Sequence, residues 1–427
     1  MNNPRSIHIE DYFYDLPVDK IAYHPLSQRD ASKLLIYKDK EITEDVFKNI
    51  ADYFPANSQI IFNETKVFQA RLPFRKDSSA AIELFCLEPV APFSDIERAF
   101  SQRESCIWRC IVGNAKKWKS GKIGWDGNKS SDIQLFAELI QREEETFLIR
   151  FSWIPTTVSF SEIVEHCGRV PLPPYIHRQE EASDKTSYQT VYAREEGSVA
   201  APTAGLHFTD EVLKNLQQKE IELLKLTLHT GAGTFKPVSS DTLGGHAMHT
   251  EKMQISKQTI QQLYNAPHCM RVAVGTTTVR TLESLYWFGV KLLLHPETED
   301  FFIAQWEVYD ELEKHQTSVK QSLEAVLDYM TRNNLLQLYG STKLIITPGY
   351  RIRMADALIT NFHQPQSTLL LLVAAFIGDA WKEAYEYALS HDFRFLSYGD
   401  ACIFFGNYEK KKSLESQCKY CTFSPQS

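Results

Sequence analysis

Short apolar runs that pass directly into a polar loop and then into a helix recur along the second half of this sequence. One such unit reads CMRVAVGTTTVRTLESLYWF at 269–288, and another reads ALITNFHQPQSTLLLLVAAFIG at 357–378. In the second unit, Ser367 or Thr368 is placed to cap the helix, and Gly378 follows its end. Repeated strand–loop–helix units predict an α/β domain whose ligand loops follow the carboxyl ends of the strands.

The pattern changes at 72–154, where short strand-like runs alternate with turns rich in Gly, Asn, Asp and Lys. Helical periodicity is mostly absent there, which indicates an inserted antiparallel β-barrel domain. We therefore predict an α/β main domain formed by 1–71 and 155–408, with the barrel domain at 72–154. A helical hairpin near 291–340 is predicted as an insert in the main domain, and the polar segment 409–427 is predicted to be a mobile tail.

Composition excludes several classes of protein. The 427-residue chain has 43% hydrophobic and 23% charged residues, an ordinary globular balance, and its net charge of −8 argues against a generic nucleic-acid binder. The longest apolar run, 369–377, is too short for a membrane span, and no secretory signal is expected. Eight mostly scattered cysteines indicate reduced thiols in a cytoplasmic protein. The lone pair Cys418 and Cys421 lacks the second pair that a zinc site needs.

Residues 197–209 read GSVAAPTAGLHFT, a segment of mostly small side chains that leads into a helix capped by Thr209 or Asp210. Small residues allow a backbone to approach another group closely. Two interpretations are open for this segment. It is either a ligand-facing loop that ends in His207 or a tight crossing of two elements of the fold.

Three further loops, at 229–238, 274–284 and 361–368, also combine small or hydroxyl residues with His, Arg or Asn. In VGTTTVRTLES, Gly275 opens a turn, three threonines follow, and Arg280 lies about one helical turn later. This pattern presents N–H and hydroxyl donors to a carboxylate, a single phosphate or an RNA phosphate. It is neither a Walker loop nor a GxGxxG loop, so a nucleotide triphosphate is not indicated.

Histidines at 207, 229 and 363 lie in these loops, and histidine is the usual general base near neutral pH. Each of them alone is more often a structural histidine, so the role of base depends on whether the loops converge. His246 and His249 are three residues apart, and neither an HxxxH nor an HExxH spacing occurs. No metal site is predicted.

The segment NAKKWKSGKIGW at 114–125 places Lys116, Lys117 and Lys119 around Trp118. A basic, aromatic turn on a β domain suits RNA phosphates and base stacking. The alternative is a solvated hairpin whose lysines protect an edge strand, and the residues alone favour this alternative.

Several of these strings resemble one family, namely YQTVYA, GSVAAPTAGLHFT, HTGAGTFKPV, HAMHTE, VGTTTVRTLES, PGYRIR, LITNFHQPQSTLLLLVAAF and FRFLSYGDA. The family is the S-adenosylmethionine:tRNA ribosyltransferase-isomerase family of queuosine biosynthesis. HPLSQRDASKLL, FNETKVFQARL and GRVPLPPYI look like the same family, so the resemblance covers most of the chain in one order.

The resemblance implies an enzyme that transfers the ribosyl part of S-adenosylmethionine to 7-aminomethyl-7-deazaguanine at the tRNA wobble position. The sugar is isomerised to an epoxycyclopentanediol, which gives epoxyqueuosine-tRNA and releases adenine and methionine. An α/β domain with an inserted β-barrel is implied, with S-adenosylmethionine as co-substrate, no metal, and a tRNA with a queuosine-type wobble position as partner. We also expect a cytoplasmic monomer that is not attached to a membrane.

In the light of this resemblance, His207 or His229, with His363 next, is expected to remove the proton beside the sulfonium. Aromatic rings and a carboxylate suit the cationic sulfonium, whereas Asn361 and backbone carbonyls suit the wobble base. The substrate-binding candidates are Thr203, Gly205, Phe208, Gly231, Gly233, Thr234, Phe235, Gly275, Thr276, Thr277, Thr278, Arg280, Tyr350, Asn361, Tyr398 and Asp400. The tRNA-binding candidates are Lys116, Lys117, Trp118 and Lys119.

Two alternative functions are open. The chain has Ser187 where the family commonly has Arg, the insert near 291–340 and an acidic charge, which fit a tRNA-binding relative without this catalysis. The other alternative is an S-adenosylmethionine enzyme with a small-molecule acceptor, which would release adenine without RNA.

Overall fold

The computed structural model of the chain describes residues 3–76, 80–128, 131–231, 238 and 240–406. Its strands are β1 Lys33–Lys38, β2 Glu41–Val46, β3 Gln59–Asn63, β4 Thr65–Val67, β5 Arg71–Arg75, β6 Ala81–Ala91, β7 Ser105–Gly113, β8 Lys122–Trp125, β9 Gln134–Arg142, β10 Phe147–Ile154, β11 Glu195–Ser198, β12 Glu222–His229, β13 Glu251–Ser256, β14 Arg271–Val274, β15 Phe301–Ile303, β16 Gln337–Thr342, β17 Ala357–Asn361 and β18 Ala401–Phe405. Its helices are α1 Ile96–Phe100, α2 Phe160–Cys167, α3 Asp184–Ser187, α4 Asp210–Gln218, α5 Lys257–Asn265, α6 Thr276–Leu294, α7 Glu307–Asp310, α8 Val319–Arg332, α9 Thr368–Ile377 and α10 Ala380–Ser390. Across these ranges, none of the helices has the length and apolar character that a membrane span requires.

The chain forms two compact units, and the larger one is called the main unit here. It contains a ten-stranded mixed sheet in the order β15–β16–β13–β12–β3–β14–β17–β18–β1–β2. β12, β3, β14 and β17 run parallel to one another, whereas β18 is antiparallel to β17 and parallel to β1. The carboxyl ends of β14 and β17 therefore share an edge of the sheet with the amino ends of β18 and β1. The predicted loops at 274–284 and 361–368 begin at that edge.

Local sequence explains the two strand–loop–helix units at the centre of this sheet. β14 and β17 are buried along their whole length, as expected for parallel strands covered on both faces. α6 begins directly after Gly275, whose φ of +90° favours glycine. The side chain of Ser367 caps α9 by accepting the Leu370 N–H, and Gly378 follows the helix end, so this predicted helix is confirmed.

The smaller compact unit, called the barrel unit here, contains a closed six-stranded antiparallel barrel in the order β10–β7–β6–β5–β8–β9. Side chains alternate between buried and more exposed positions along β7, which places Trp108 in the core of the barrel. Trp153 and Phe160, the first residue of α2, belong to the same core. The predicted fold class, an α/β main domain with an inserted antiparallel β-barrel domain, is confirmed.

The compact units have different bounds from the predicted domains. One unit holds 3–64, 202–228, 238 and 240–406, and the other holds 65–76, 80–128, 131–201 and 229–231. The barrel unit is wider than the predicted 72–154 because β4, β11 and α3 belong to it. The predicted tail, 409–427, lies outside the described residues, and so do Cys418 and Cys421.

The segment 291–340 differs from the predicted helical hairpin. It contains one long helix, α8, while β15 and β16 extend the sheet beyond β13. A three-residue apolar strand such as FFI gives too short a pattern to be distinguished from a helical turn. α8 buries Leu323, Val326, Leu327 and Met330 on one face, which is therefore a packing surface.

Candidate active site

Residues from separate predicted loops converge at one edge of the sheet in the main unit. Asn361 is the last residue of β17, and Gly275 follows β14. Ser32 precedes β1 and Asp400 precedes β18 at the same edge, because these strands run opposite to β17. His207 joins this group by hydrogen bonds to Ser32 and Asn361.

His207 is bound through both nitrogens of its ring. Nδ1 lies 2.9 Å from Oγ of Ser32, and Nε2 accepts a hydrogen bond of 3.0 Å from Nδ2 of Asn361. Because Nε2 accepts, Nδ1 carries the ring hydrogen. Burial, followed by the positive charge of Arg394, lowers the pKa of His207 to about 3. The imidazole is therefore neutral at physiological pH and ties together three segments of the chain.

The residues around His207 in the small-residue segment are packed into the main unit. Gly205 is buried, and Thr203 is half-buried. The ring of Phe208 is buried and lies edge-on to Phe47 and Phe62, with centroid distances of 4.9 and 5.0 Å. Because protein encloses the Phe208 ring in this way, its contacts are those of a core residue and not of a sulfonium-binding surface.

Thr209 links the start of α4 to the RDAS string near the N-terminus. Its Oγ1 accepts the N–H of Val212 as the helix cap, and the same hydroxyl donates to Oδ2 of Asp30 at 2.9 Å. Asp30 is only 4% exposed. The cap that the sequence predicts at Thr209 or Asp210 is therefore formed by Thr209, and it also fixes the loop before β1.

Asp400 holds the loop before β18. Its carboxylate accepts the backbone N–H groups of Lys33 and Arg394, at 3.1 and 2.8 Å, and a 3.2 Å hydrogen bond from the Arg394 guanidinium. Asp400 and Tyr398 are 2% and 3% exposed. The Asp400 carboxylate is thus engaged by one cation of the protein, Arg394, and by two backbone amides.

His363 is enclosed two residues beyond β17. Its Nε2 lies 2.9 Å from Oγ1 of Thr360, its backbone N–H donates to the Tyr385 hydroxyl, and its carbonyl accepts from the Tyr14 hydroxyl. Burial lowers the pKa of His363 to about 3. One strand, β17, thus supports both buried histidines, His363 through Thr360 and His207 through Asn361.

The predicted anion-binding turn starts α6. The threonines at 276–278 are buried, and the Thr278 hydroxyl donates back to the carbonyl of Val274 at 2.6 Å. Nη2 of Arg280 lies 3.0 Å from Oε2 of Glu251, with side chains 7% and 4% exposed. The charge of Arg280 is therefore balanced within the protein.

Tyr350 belongs to a buried polar cluster in the main unit. Its hydroxyl accepts from Nε1 of Trp287 and donates to Oε2 of Glu283, both at 2.7 Å. The other carboxylate oxygen of Glu283 accepts the N–H groups of Arg353 and Met354 at 2.8 and 2.6 Å. This arrangement fixes the PGYRIR loop, and it encloses the ring that the sequence suggested for the sulfonium.

His229 lies in the barrel unit, at the end of β12. Its Nδ1 is 3.0 Å from Oγ1 of Thr65. A Cβ at Gly197, where φ is +139°, would lie 3.0 Å from two atoms of the His229 ring. Three motif strings, FNETK, GSVAAPT and HTGAGTF, thus meet at this imidazole. Gly231 is half-buried, whereas Gly233, Thr234 and Phe235 lie outside the described residues.

The lysine-rich turn of the barrel has two kinds of side chain. Lys116, Lys117 and Lys119 are exposed. Trp118 is 1% exposed, and its Nε1 donates to the carbonyl of Gly121 at 3.1 Å. The indole therefore fills the barrel core and does not present a face to a base, so the stacking expected of Trp118 is not what this geometry provides.

Four of the residues that organise these clusters were not among the candidates from the sequence. These residues are Ser32, Thr65, Glu251 and Glu283. Each lies within a string that carries the family resemblance, which was the available signal. Over the described ranges, no group of three or more His, Cys, Asp or Glu side chains is arranged to hold a metal ion.

Comparisons with known proteins agree with the resemblance. The chain matches the family described as "Queuosine biosynthesis protein" over residues 9–404. It is 33% identical to the S-adenosylmethionine:tRNA ribosyltransferase-isomerase of Magnetococcus marinus, over 95% of this chain and 96% of that protein. The enzyme of the same name from Xanthomonas euvesicatoria is 36% identical, over 93% and 96%. A crystal structure of an S-adenosylmethionine tRNA ribosyltransferase from Thermotoga maritima is 27% identical, covers 92% of this chain and 99% of that one, and gives a TM-score of 0.43.

Proposed function

This chain belongs to the S-adenosylmethionine:tRNA ribosyltransferase-isomerases of the queuosine biosynthesis protein family, and from that premise we propose its reaction. It transfers the ribosyl group of S-adenosylmethionine to 7-aminomethyl-7-deazaguanine at the tRNA wobble position and isomerises it, releasing adenine and methionine. The observation that carries this proposal is the convergence of four separated motif strings around His207. Ser32, His207, Asn361 and Asp400 come from RDAS, GLHFT, TNFH and SYGD, and hydrogen bonds link them in the main unit.

The reaction needs a base that removes the proton beside the sulfonium, and His229 is our candidate. A general base works best when its pKa lies near the operating pH. His207 and His363 are buried and have pKa values lowered to about 3, whereas His229 is half-buried. This supports positioning roles for these two histidines, which leaves His229 as the base.

The methionine carboxylate, or an RNA phosphate, is assigned to the turn at 275–278. The start of α6 supplies backbone N–H groups and the positive end of a 19-residue helix dipole. Gly275 lets the backbone adopt the positive φ of +90° that this turn uses. Arg280, held by Glu251, contributes to the shape of the turn and not to the charge that the anion meets.

The wobble base is assigned to the surroundings of Asn361. Among the described residues, the buried Oδ1 of Asn361 has no hydrogen-bond partner, although Nδ2 of the same amide is engaged by His207. A buried acceptor without a partner costs free energy unless a ligand or water satisfies it. An N–H group of a purine-like base would satisfy it once the site opens to admit the base.

The tRNA backbone is assigned to the exposed lysines of the barrel, Lys116, Lys117 and Lys119. Clustered ammonium groups on one turn attract phosphates without reading sequence. Sequence recognition would then come from the splayed base in the anticodon loop. A tRNA substrate and the free thiols among the described residues also support a cytoplasmic location.

The test is an adenine-release assay with the full-length chain. Adenine and methionine should form when S-adenosylmethionine and tRNA carrying 7-aminomethyl-7-deazaguanine are both present, and not with unmodified tRNA. Adenine release without any tRNA would support the small-molecule acceptor instead. Binding of anticodon stem-loops with no release over a range of pH would support a relative without this catalysis.

A further inference from the structure

Thr65 lies against the imidazole of His229 within the barrel unit. Its side-chain Oγ1 is 3.0 Å from Nδ1 of His229 and 3.4 Å from the backbone carbonyl oxygen of Glu195. Thr65 is 0% exposed, so its hydroxyl must satisfy its hydrogen bonds inside the protein.

The contact of this hydroxyl with the Glu195 carbonyl bears on which ring nitrogen of His229 carries the hydrogen. A threonine hydroxyl has one hydrogen to donate and two lone pairs, and a carbonyl oxygen can only accept. When Oγ1 donates to the carbonyl of Glu195, it meets Nδ1 of His229 as an acceptor. Nδ1 must then carry the ring hydrogen, and the lone pair lies on Nε2.

We propose that Thr65 is a positioning residue that holds His229 as the Nδ1–H tautomer, with Nε2 as the basic atom of the reaction. This inference rests on the proposed function. Nε2 takes the proton from the carbon beside the sulfonium, and the electron pair of the broken C–H bond stays on that carbon, next to the positive sulfur. His229 then carries a hydrogen on each ring nitrogen, and Oγ1 of Thr65 still accepts from Nδ1.

The backbone around Thr65 is fixed from two directions. Thr65 pairs with Glu195 in the parallel ladder of β4 and β11, which sets the distance to the Glu195 carbonyl. The side-chain amide of Gln189, from the string YQTVYA, both accepts from the N–H of Val67 and donates to its carbonyl, at 3.1 and 2.6 Å. β4 is therefore held in register, and its first residue cannot move away from the ring.

Gly197 also restricts the imidazole of His229. A Cβ there would lie 2.8 Å from Cγ1 of Ile96 and 3.0 Å from Cε1 and Nδ1 of His229. The backbone of GSVAAPT thus packs directly against the imidazole, which limits its rotation. Small residues in this string permit the close approach, and Thr65 sets the tautomer of the ring that they enclose.

The first test measures the tautomer in the full-length protein without substrate. The protein is labelled with ¹⁵N at its 13 histidines, and the His229 signals are identified by their loss in His229→Gln. We expect a protonated Nδ1 and an unprotonated Nε2 in the wild type. Thr65→Val, which keeps the shape and removes the hydroxyl, should give a mixture or the opposite tautomer, and Thr65→Ser should restore the wild-type signals.

Thr342→Val is the matched control, because Thr342 is also 0% exposed and hydrogen-bonded but lies on β16 in the other unit. It should leave the His229 signals unchanged. A wild-type His229 protonated on Nε2, or wild-type signals in Thr65→Val, would overturn the inference. Because this measurement needs no turnover, it stands or fails separately from the proposed reaction.

The second test measures kcat and KM separately in the adenine-release assay. Thr65→Val should lower kcat by at least about tenfold, within the loss of up to about 10⁴-fold that follows when a histidine base adopts the wrong tautomer. KM for S-adenosylmethionine should stay unchanged, and Thr65→Ser should recover most of the activity. An unchanged kcat in a folded Thr65→Val protein would refute the positioning role, even if the wild type performs the proposed reaction.

Discussion

Arg280 and Glu251 form an ion pair in which both charged side chains are more than nine-tenths buried, with 3.0 Å between Nη2 and Oε2. Burying two charges costs desolvation free energy, which their mutual attraction must offset. Arg280 is the last residue of VGTTTVR and lies in the first turns of α6, and Glu251 is the last residue of HAMHTE, so the pair joins these two strings. Both strings carry the family resemblance, so part of that resemblance reflects the stability of the site and not contact with substrate.

Changing Glu251 to Gln keeps the shape of the side chain but removes its charge. The Arg280 guanidinium then stays buried without its counter-charge, so the free energy of unfolding should fall by about 3–5 kcal/mol in urea titrations. Arg280→Met combined with Glu251→Leu should recover a large part of that loss. If the double variant is stable but its KM for S-adenosylmethionine rises more than tenfold, Arg280 binds substrate after all.

The two buried histidines should make the folded protein less stable in mild acid. His207 and His363 have folded-state pKa values of about 3, below the ordinary value of 6.5, because burial disfavours their charged forms. Between about pH 6.5 and 3 the unfolded chain therefore binds more protons than the folded one, so stability falls as pH falls. By pH 5 each histidine should have removed about 2 kcal/mol from the free energy of unfolding.

Urea titrations at pH 7 and pH 5 measure this loss. His363→Gln should lose less stability over this interval than the wild type, by about 2 kcal/mol. The control is His315→Gln at an exposed position, which should keep the wild-type difference between the two pH values. Equal losses in His363→Gln and the wild type would show that His363 is protonated in the folded protein at pH 5.

Local signals were sufficient for the elements that surround the site. The apolar strand before Gly275, the cap at Ser367 and the stop at Gly378 are all set by residues within a few positions of each other. β15 and β16 could not be predicted in the same way. Each is short, and the pairing of β16 with β15 on one side and with β13 on the other joins segments far apart in sequence.

The candidate site itself depends on distant contacts. Ser32 and Asn361 lie 175 and 154 residues from His207, and no periodicity indicates that they share its ring nitrogens. Hydrogen bonds of this kind also distinguish a structural histidine from a candidate base, which residue type alone does not. The sequence suggested His207 or His229, with His363 next, as the base, but burial and hydrogen-bond partners give His207 and His363 structural surroundings.

Tyr350→Phe tests whether the PGYRIR loop contacts substrate through this tyrosine. The change keeps the ring, but it leaves Nε1 of Trp287 without its acceptor and removes one donor from the buried carboxylate of Glu283. The free energy of unfolding should therefore fall by about 1–3 kcal/mol. Burial already raises the pKa of Glu283, and loss of the Tyr350 donor should raise it further.

Steady-state kinetics provide the functional half of that test. KM for S-adenosylmethionine should remain at the wild-type value in Tyr350→Phe, because the hydroxyl is enclosed by protein. Tyr339→Phe, at a position that is 59% exposed, is the control and should leave KM unchanged. A rise in KM without loss of stability would show that Tyr350 contacts the substrate through its hydroxyl.

The exposed lysines of the barrel should govern how tRNA binding depends on salt. Changing Lys116, Lys117 and Lys119 together to Ala should weaken binding and reduce the slope of log K against log salt by about 2, because fewer counterions are released. Filter binding between low and physiological salt measures both quantities. The control removes three exposed lysines from the main unit, Lys40, Lys48 and Lys214. Equal affinity of the barrel variant and the wild type would show that these three lysines do not contact tRNA. An equal loss of affinity in the control would show the same, because specific phosphate contacts must depend on where the charges lie.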